Sequence, residues 1–142
     1  MTSAPSLPPA RLDPHAWIIT QAQIELYGKA AGADDPIHMD PVAAKETPLG
    51  GTIAQGMLVL AVMGEYVAAR IASPAVWIAG GELDVRFRRP VRPGDRLTIH
   101  ATKADQASNG AAGAATYEIW CENQHGDHVV AGQAHIPLDG FR

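Results

Sequence analysis

The spacing of apolar and polar positions changes about halfway along the chain. In the first half, residues 16–20 hold Trp17, Ile18 and Ile19 in an aromatic and β-branched run, which predicts a strand. Thr20 then reads as an N-cap, because residues 21–27 are good helix formers. A polar stretch rich in Gly and Asp, 28–36, predicts a turn. Pro41 opens a short helix over 42–46, and Pro48 stops it. From Thr52 to about Ile71 the pattern suits a long helix with Met57, Leu58, Leu60, Val62, Met63, Tyr66 and Val67 spread round it. Glu65 and Arg70 interrupt it only near the far end. A helix apolar all round is buried over most of its surface.

After Ser73-Pro74 the period becomes two. Trp77, Ile78 and Ala79 lead past Gly80-Gly81 into residues 83–88, where Leu83, Val85 and Phe87 share one face. The Pro and Gly of residues 91–95 form a turn, and 97–101, 116–121 and 129–136 are further strands. Small residues at 108–113 and the Gly126-Asp127 pair mark hairpin connections. One buried helix followed by four hairpin-connected strands predicts an α+β domain, an antiparallel sheet whose apolar face the helix covers. It would occupy residues 11–142, behind a flexible tail over 1–10.

Composition narrows the function classes. At 142 residues, one domain with a sizeable core is expected, and 46% hydrophobic residues exclude a disordered chain. A net charge of −4 gives no electrostatic reason to bind nucleic acid. The lone Cys121 excludes an internal disulfide framework and a thiolate cluster for zinc. The first nine residues have neither a basic start nor an apolar run, so they do not read as a signal peptide, and a cytoplasmic protein is expected. The uncharged part of the apolar helix falls short of the roughly 20 residues of a membrane span.

Several residue types carry candidate chemistry. His38 reads on its own as an ordinary histidine, and Asp34-Asp35 before Pro36 as turn chemistry. His38 with Asp40 makes two metal ligands without a third, so no metal is expected. Arg86, Arg88, Arg89 and Arg92 form a basic patch on an acidic chain, either a solvated strand edge or a landing place for phosphates.

The run Tyr27-Gly28-Lys29-Ala30-Ala31-Gly32-Ala33-Asp34-Asp35-Pro36-Ile37-His38 resembles the signature of MaoC-like hydratases. The stretches Gly50-Gly51-Thr52-Ile53-Ala54-Gln55-Gly56-Met57 and Phe87-Arg88-Arg89-Pro90-Val91-Arg92-Pro93-Gly94-Asp95 resemble that family's second and third recurring stretches. The resemblance runs from about Trp17 to Ile136. It implies a hotdog fold, in which a curved antiparallel sheet wraps a central helix, and a homodimer. It implies an (R)-specific enoyl-CoA hydratase or 3-hydroxyacyl thioester dehydratase acting on acyl-CoA or acyl carrier protein thioesters, without a cofactor. In the family an Asp and a His five residues apart share the water, and a backbone N–H at the central helix start polarises the thioester carbonyl. The resemblance places these roles on His38 and the Gly56 N–H. It also makes Arg86, Arg88 and Arg89 candidates for the phosphates of coenzyme A, and Met57 and Trp77 candidates for lining the acyl group.

The sequence departs from the pattern at the position of the family's Asp, which is Ala33, and Gln55 replaces a His. A methyl group cannot take a proton. Three readings follow: Asp34 or Asp35 takes the carboxylate's place, His38 acts alone or with a group from elsewhere, or the chain is a non-catalytic acyl-thioester-binding subunit of a heteromer. A hotdog thioesterase is a further alternative, separated by release of free thiol.

Overall fold

In the computed structural model, which describes residues 7–105 and 112–142, β1 (Arg11–Ile18) opens the sheet. Of the leading segment, Pro9 and Ala10 already give their carbonyls to the Tyr117 hydroxyl and the Lys103 N–H. The strand starts earlier than its aromatic run suggests, because pairing with β3 (Arg96–Lys103) carries it back to Arg11. Pro14 sits in a bulge between Leu12 and His15, where a missing N–H interrupts no ladder. Arg70 donates to the carbonyls of Asp13 and Pro14 there.

Thr20 caps α1 (Gln21–Ala31) as expected, with Gln23 closing a capping box. The helix runs past Tyr27 to Ala31 and ends on Gly32, whose φ of 68° is the left-handed cap that a side chain disfavours. The turn expected over 28–36 is therefore confined to residues 32–35. Two short helices follow, α2 (Pro36–Met39) and α3 (Pro41–Lys45), each with Pro in its first turn. The pattern gave no sign of α2.

The apolar helix, α4 (Gly56–Ala68), begins four residues later than its pattern suggests. Residues 51–55 are drawn out instead, since Ile53 N–H donates to the Ile37 carbonyl at 3.1 Å and Ala54 N–H to the Val91 carbonyl at 2.7 Å. Val59, Met63, Tyr66, Val67 and Ala68 are buried, whereas Met57, Ala61 and Glu65 form an exposed stripe at helical spacing. Residues 77–79, expected as a strand, lie in a helix, α5 (Pro74–Gly80). Pro74 starts it, and Trp77 packs so closely on Gly81 that a Cβ there would fall 2.0 Å from its ring.

The sheet is completed by β2 (Glu82–Phe87), β4 (Ala114–Glu122) and β5 (His128–Pro137), in the order β1-β3-β4-β5-β2, antiparallel throughout. A short 3₁₀ turn, Leu138–Phe141, follows. The hairpins β3-β4 and β4-β5 are as expected, although most of the 108–113 connection lies outside the described residues. The β2-β3 hairpin does not form. β2 pairs with β5, so residues 88–95 cross to the far side of the sheet. Alternation fills the inner face with Leu97, Ile99, Ile119, Cys121 and Ile136, in one cluster with Val59, Met63 and Val67 of α4.

Candidate functional site

Two polypeptide segments meet at the start of α4. The first is the loop after α1. Ala33 N–H bonds back to the Gly28 carbonyl at 2.9 Å, and the Asp35 carbonyl accepts from His38 N–H at 2.9 Å and Met39 N–H at 3.2 Å. Pro36 suits this first turn because it has no N–H to satisfy. His38 is half-buried, with Nδ1 2.8 Å from the Ile53 carbonyl oxygen. A carbonyl only accepts, so in the neutral ring the proton sits on Nδ1 and the Nε2 lone pair is available to take another. The His38 carbonyl is held in turn by Gln21 Nε2 at 2.8 Å, and Gln21 Oε1 accepts from the Thr52 hydroxyl at 2.7 Å.

The second segment is 53–56, which runs from the carbonyl that holds His38 into α4. As the first residue of α4, Gly56 has an N–H with no intrahelical acceptor, and Gln55 at the N-cap supplies no side-chain cap. The helix dipole adds partial positive charge at this end. A cavity of about 530 Å³ opens beside it, lined by Gly56, Met57 and Val59, by Phe87 to Val91, and by Ile53, Ala54 and Val130. A Cβ built on Gly56 would fall 2.7 Å from the Phe87 ring, so glycine lets backbone and ring approach closely. His38 is not on the lining of this cavity. Its Nδ1 bonds to the carbonyl of Ile53, which is.

Not every candidate residue is brought there. Arg88 and Arg89 line the cavity, with Arg89 Nε 3.9 Å from Asp127 Oδ1 in an exposed pair that carries little energy. Arg86 lies on β2 outside the lining, and Arg92 is spent on the Leu49 carbonyl. Met57 lines the cavity and is 61% exposed, whereas Trp77 is buried on α5 away from it. Asp34 and Asp35 are exposed, and their carboxylates take no hydrogen bond among the described residues. Asp40 is occupied as the cap of α3, accepting from Val42 and Ala43 N–H. Among the described residues, no three His, Cys, Asp or Glu side chains are grouped to hold a metal ion. Burial pushes the Cys121 thiol up to about 12, which removes it as a nucleophile at neutral pH.

Sequence reasoning missed two residues of the site. Alternation sets Phe87 on one face with Leu83 and Val85, yet it is 57% exposed and lies against Gly56. The ring's place depends on β2 being an edge strand beside α4, which alternation alone does not reveal. Gln55 stands out in the sequence only as a replacement, and its bonds to two distant carbonyls have no local signature.

A family described as "MaoC like domain" matches residues 8–120. Nodulation protein N of Rhizobium meliloti is 38% identical over 102 residues, covering 68% of this chain and 63% of that protein. A 3-hydroxyacyl-thioester dehydratase Z of Mycobacterium tuberculosis is 34% identical over 84 residues, covering 57% of this chain and 56% of that one. Among solved structures, an unliganded R-hydratase from Pseudomonas aeruginosa superposes with a TM-score of 0.77 at 26% identity, covering 92% of this chain and 81% of that chain. The five-stranded sheet with its central helix is the hotdog fold of these (R)-hydratases.

Proposed function

Because the chain belongs to the MaoC-like domain family, we propose that it is an (R)-specific enoyl thioester hydratase, or a 3-hydroxyacyl thioester dehydratase in the reverse direction. The observation that carries this reading is the tie between His38 Nδ1 and the Ile53 carbonyl. It leaves the basic Nε2 free, on a ring fixed three residues before the uncapped start of α4.

The chemistry follows from those two groups. The Gly56 N–H polarises the thioester carbonyl and holds the oxygen as it gains enolate charge. Water adds to carbon 3, giving a proton to His38 Nε2, and a proton is returned to carbon 2. No electrons are transferred, so no redox cofactor is required. Arg88 and Arg89 at the cavity mouth suit the phosphates of a CoA or acyl carrier protein thioester, and Met57 and Phe87 suit its apolar part. Asp34 and Asp35 remain the carboxylates that a rearranged loop would bring to the water. We also propose a homodimer, since edge strand β2 and the exposed Met57-Ala61-Glu65 stripe of α4 are left to be covered. Light scattering that returned a monomer at micromolar concentration would count against the dimer.

Ala33 favours a second reading, a non-catalytic subunit that binds acyl thioesters beside an active partner. The deciding experiment follows purified protein with crotonyl-CoA and longer enoyl-CoAs at the enoyl absorbance. Turnover supports the hydratase. Binding by calorimetry without turnover leaves the subunit, and release of free CoA thiol points to a thioesterase.

A further inference from the structure

We propose that Gln55 is the positioning residue of this site, the clamp that fixes the His38 loop against the start of α4. Gln55 is only 4% exposed, and its Nε2 donates to the Ile24 carbonyl on α1 and to the Ala33 carbonyl on the loop, each at 3.0 Å. The orientation of the amide follows from those partners, because turning it over would set Oε1 against two acceptors. As oriented, Oε1 is buried and accepts no hydrogen bond among the described residues. A buried acceptor without a donor is costly, and an apolar side chain of similar size would fill the space without that cost. The side chain therefore acts through its two N–H donors.

Those donors act at a crowded joint. A Cβ on Gly28 would fall 2.7 Å from Met39 Sδ, 2.9 Å from the Ala33 oxygen and 3.1 Å from Gln55 Nε2. The end of α1, the loop, α2 and the residue before Gly56 thus meet at one point. His38 precedes Met39, and Ile53 precedes Gln55 by two residues. Without Gln55, the loop is tied to segment 52–56 by the His38–Ile53 and Ile53–Ile37 bonds and the Gln21–Thr52 link. The kinetic consequence rests on the hydratase reading: a loosened loop moves Nε2 relative to the Gly56 N–H, and misplacement by about 1 Å costs about 10²-fold in rate.

The test uses full-length protein labelled with ¹⁵N in histidine rings and glutamine side chains, with His38 assigned through a His38→Gln variant. In the wild type, the Gln55 side-chain protons should exchange far more slowly than those of exposed glutamines, and neutral His38 should carry its proton on Nδ1. In Gln55→Leu the His38 signals should move to an average of both tautomers. Turnover of crotonyl-CoA should fall about 10²-fold, with KM changed by less than about threefold. Gln55→His keeps one N–H donor and should recover part of both. In the His38→Gln background, Gln55→Leu should cost nothing further. A merely structural role would lower the melting temperature and leave the His38 tautomer where it was, and that result overturns the proposal. Fast exchange of the Gln55 side chain in the wild type also overturns it, and this measurement stands if Gln55→Leu fails to fold. If the wild type turns over no enoyl-CoA, the hydratase reading falls, while exchange and tautomer still decide the role of Gln55.

Discussion

Two cavities of nearly equal size flank α4, and they differ in what their walls can do. The first, about 530 Å³, meets the helix at Gly56, Met57 and Val59 and carries Arg88 and Arg89. The second, about 560 Å³, meets it at Leu58 and Val62 and is walled by His15, Trp17, Ile19, Gln23, Leu26, Tyr27 and Ala30. Among the described residues its walls hold no Arg, Lys, Asp or Glu, and it lies beside the helix flank, where backbone N–H groups are already bonded along the helix. Size does not separate the two. The uncapped helix start and the two adjacent arginines do, since the proposed reaction calls for a donor at the thioester oxygen and positive charge for phosphate.

The comparison is broken most directly at His38. His38→Gln should lower enoyl-CoA turnover by about 10²–10⁴-fold at unchanged melting temperature. Val62→Phe, which fills the second cavity, should leave turnover within about threefold, measured in the same assay. If the second variant proves the inactive one while still folded, the chemistry belongs to the other side of α4.

Ala33 sharpens the same contrast. If His38 lacks a carboxylate partner, Ala33→Asp should raise turnover about 10²-fold, the range of one general base. If Asp34 or Asp35 already serves, Asp34→Asn or Asp35→Asn abolishes turnover and Ala33→Asp brings no gain.

A smaller effect is expected at the cavity mouth. Replacing Arg88 and Arg89 together by Ala should raise KM for an acyl-CoA about tenfold, the loss of roughly one charge-assisted bond. The increase should shrink in high salt, since exposed charges are screened. Tyr27→Ala in the second cavity should leave KM unchanged.

The smallest effect separates both cavities from the core beneath them. Burial pushes the Tyr66 hydroxyl up to about 12, with Arg70 opposing and Asp13 adding to the shift, and burial pushes Tyr117 up to about 12 as well, Tyr66 adding to it. Unfolding exposes both at their ordinary value of 10.0. The folded state then holds these protons more tightly, so its advantage is complete below pH 10 and is lost as pH rises from 10 towards 12. Thermal melts should show Tm falling by several degrees across that window. Tyr66→Phe should flatten part of the fall.

The sequence alone determined what local chemistry enforces. Thr20 starts α1, Pro41 opens α3, and the strand-forming runs of the second half mark β2 to β5. The resemblance grouped His38 with Gly56, and a bond from His38 to the Ile53 carbonyl joins the two segments that carry them. What tertiary structure decided was of another kind. Pairing of β2 with β5 turned an expected hairpin into a crossover, because a strand's partner is set by which sheet edge it meets and leaves no local signature. Helix propensity over 52–55 lost to backbone bonds with Ile37 and Val91, which moved the start of α4 to Gly56 and left its N–H free of the ladder. Alternation could not tell that Phe87 would lie against Gly56, nor composition that the Gln55 amide would bridge carbonyls 31 and 22 residues away. Such contacts join positions far apart in the chain, and only closing the fold brings their partners within reach.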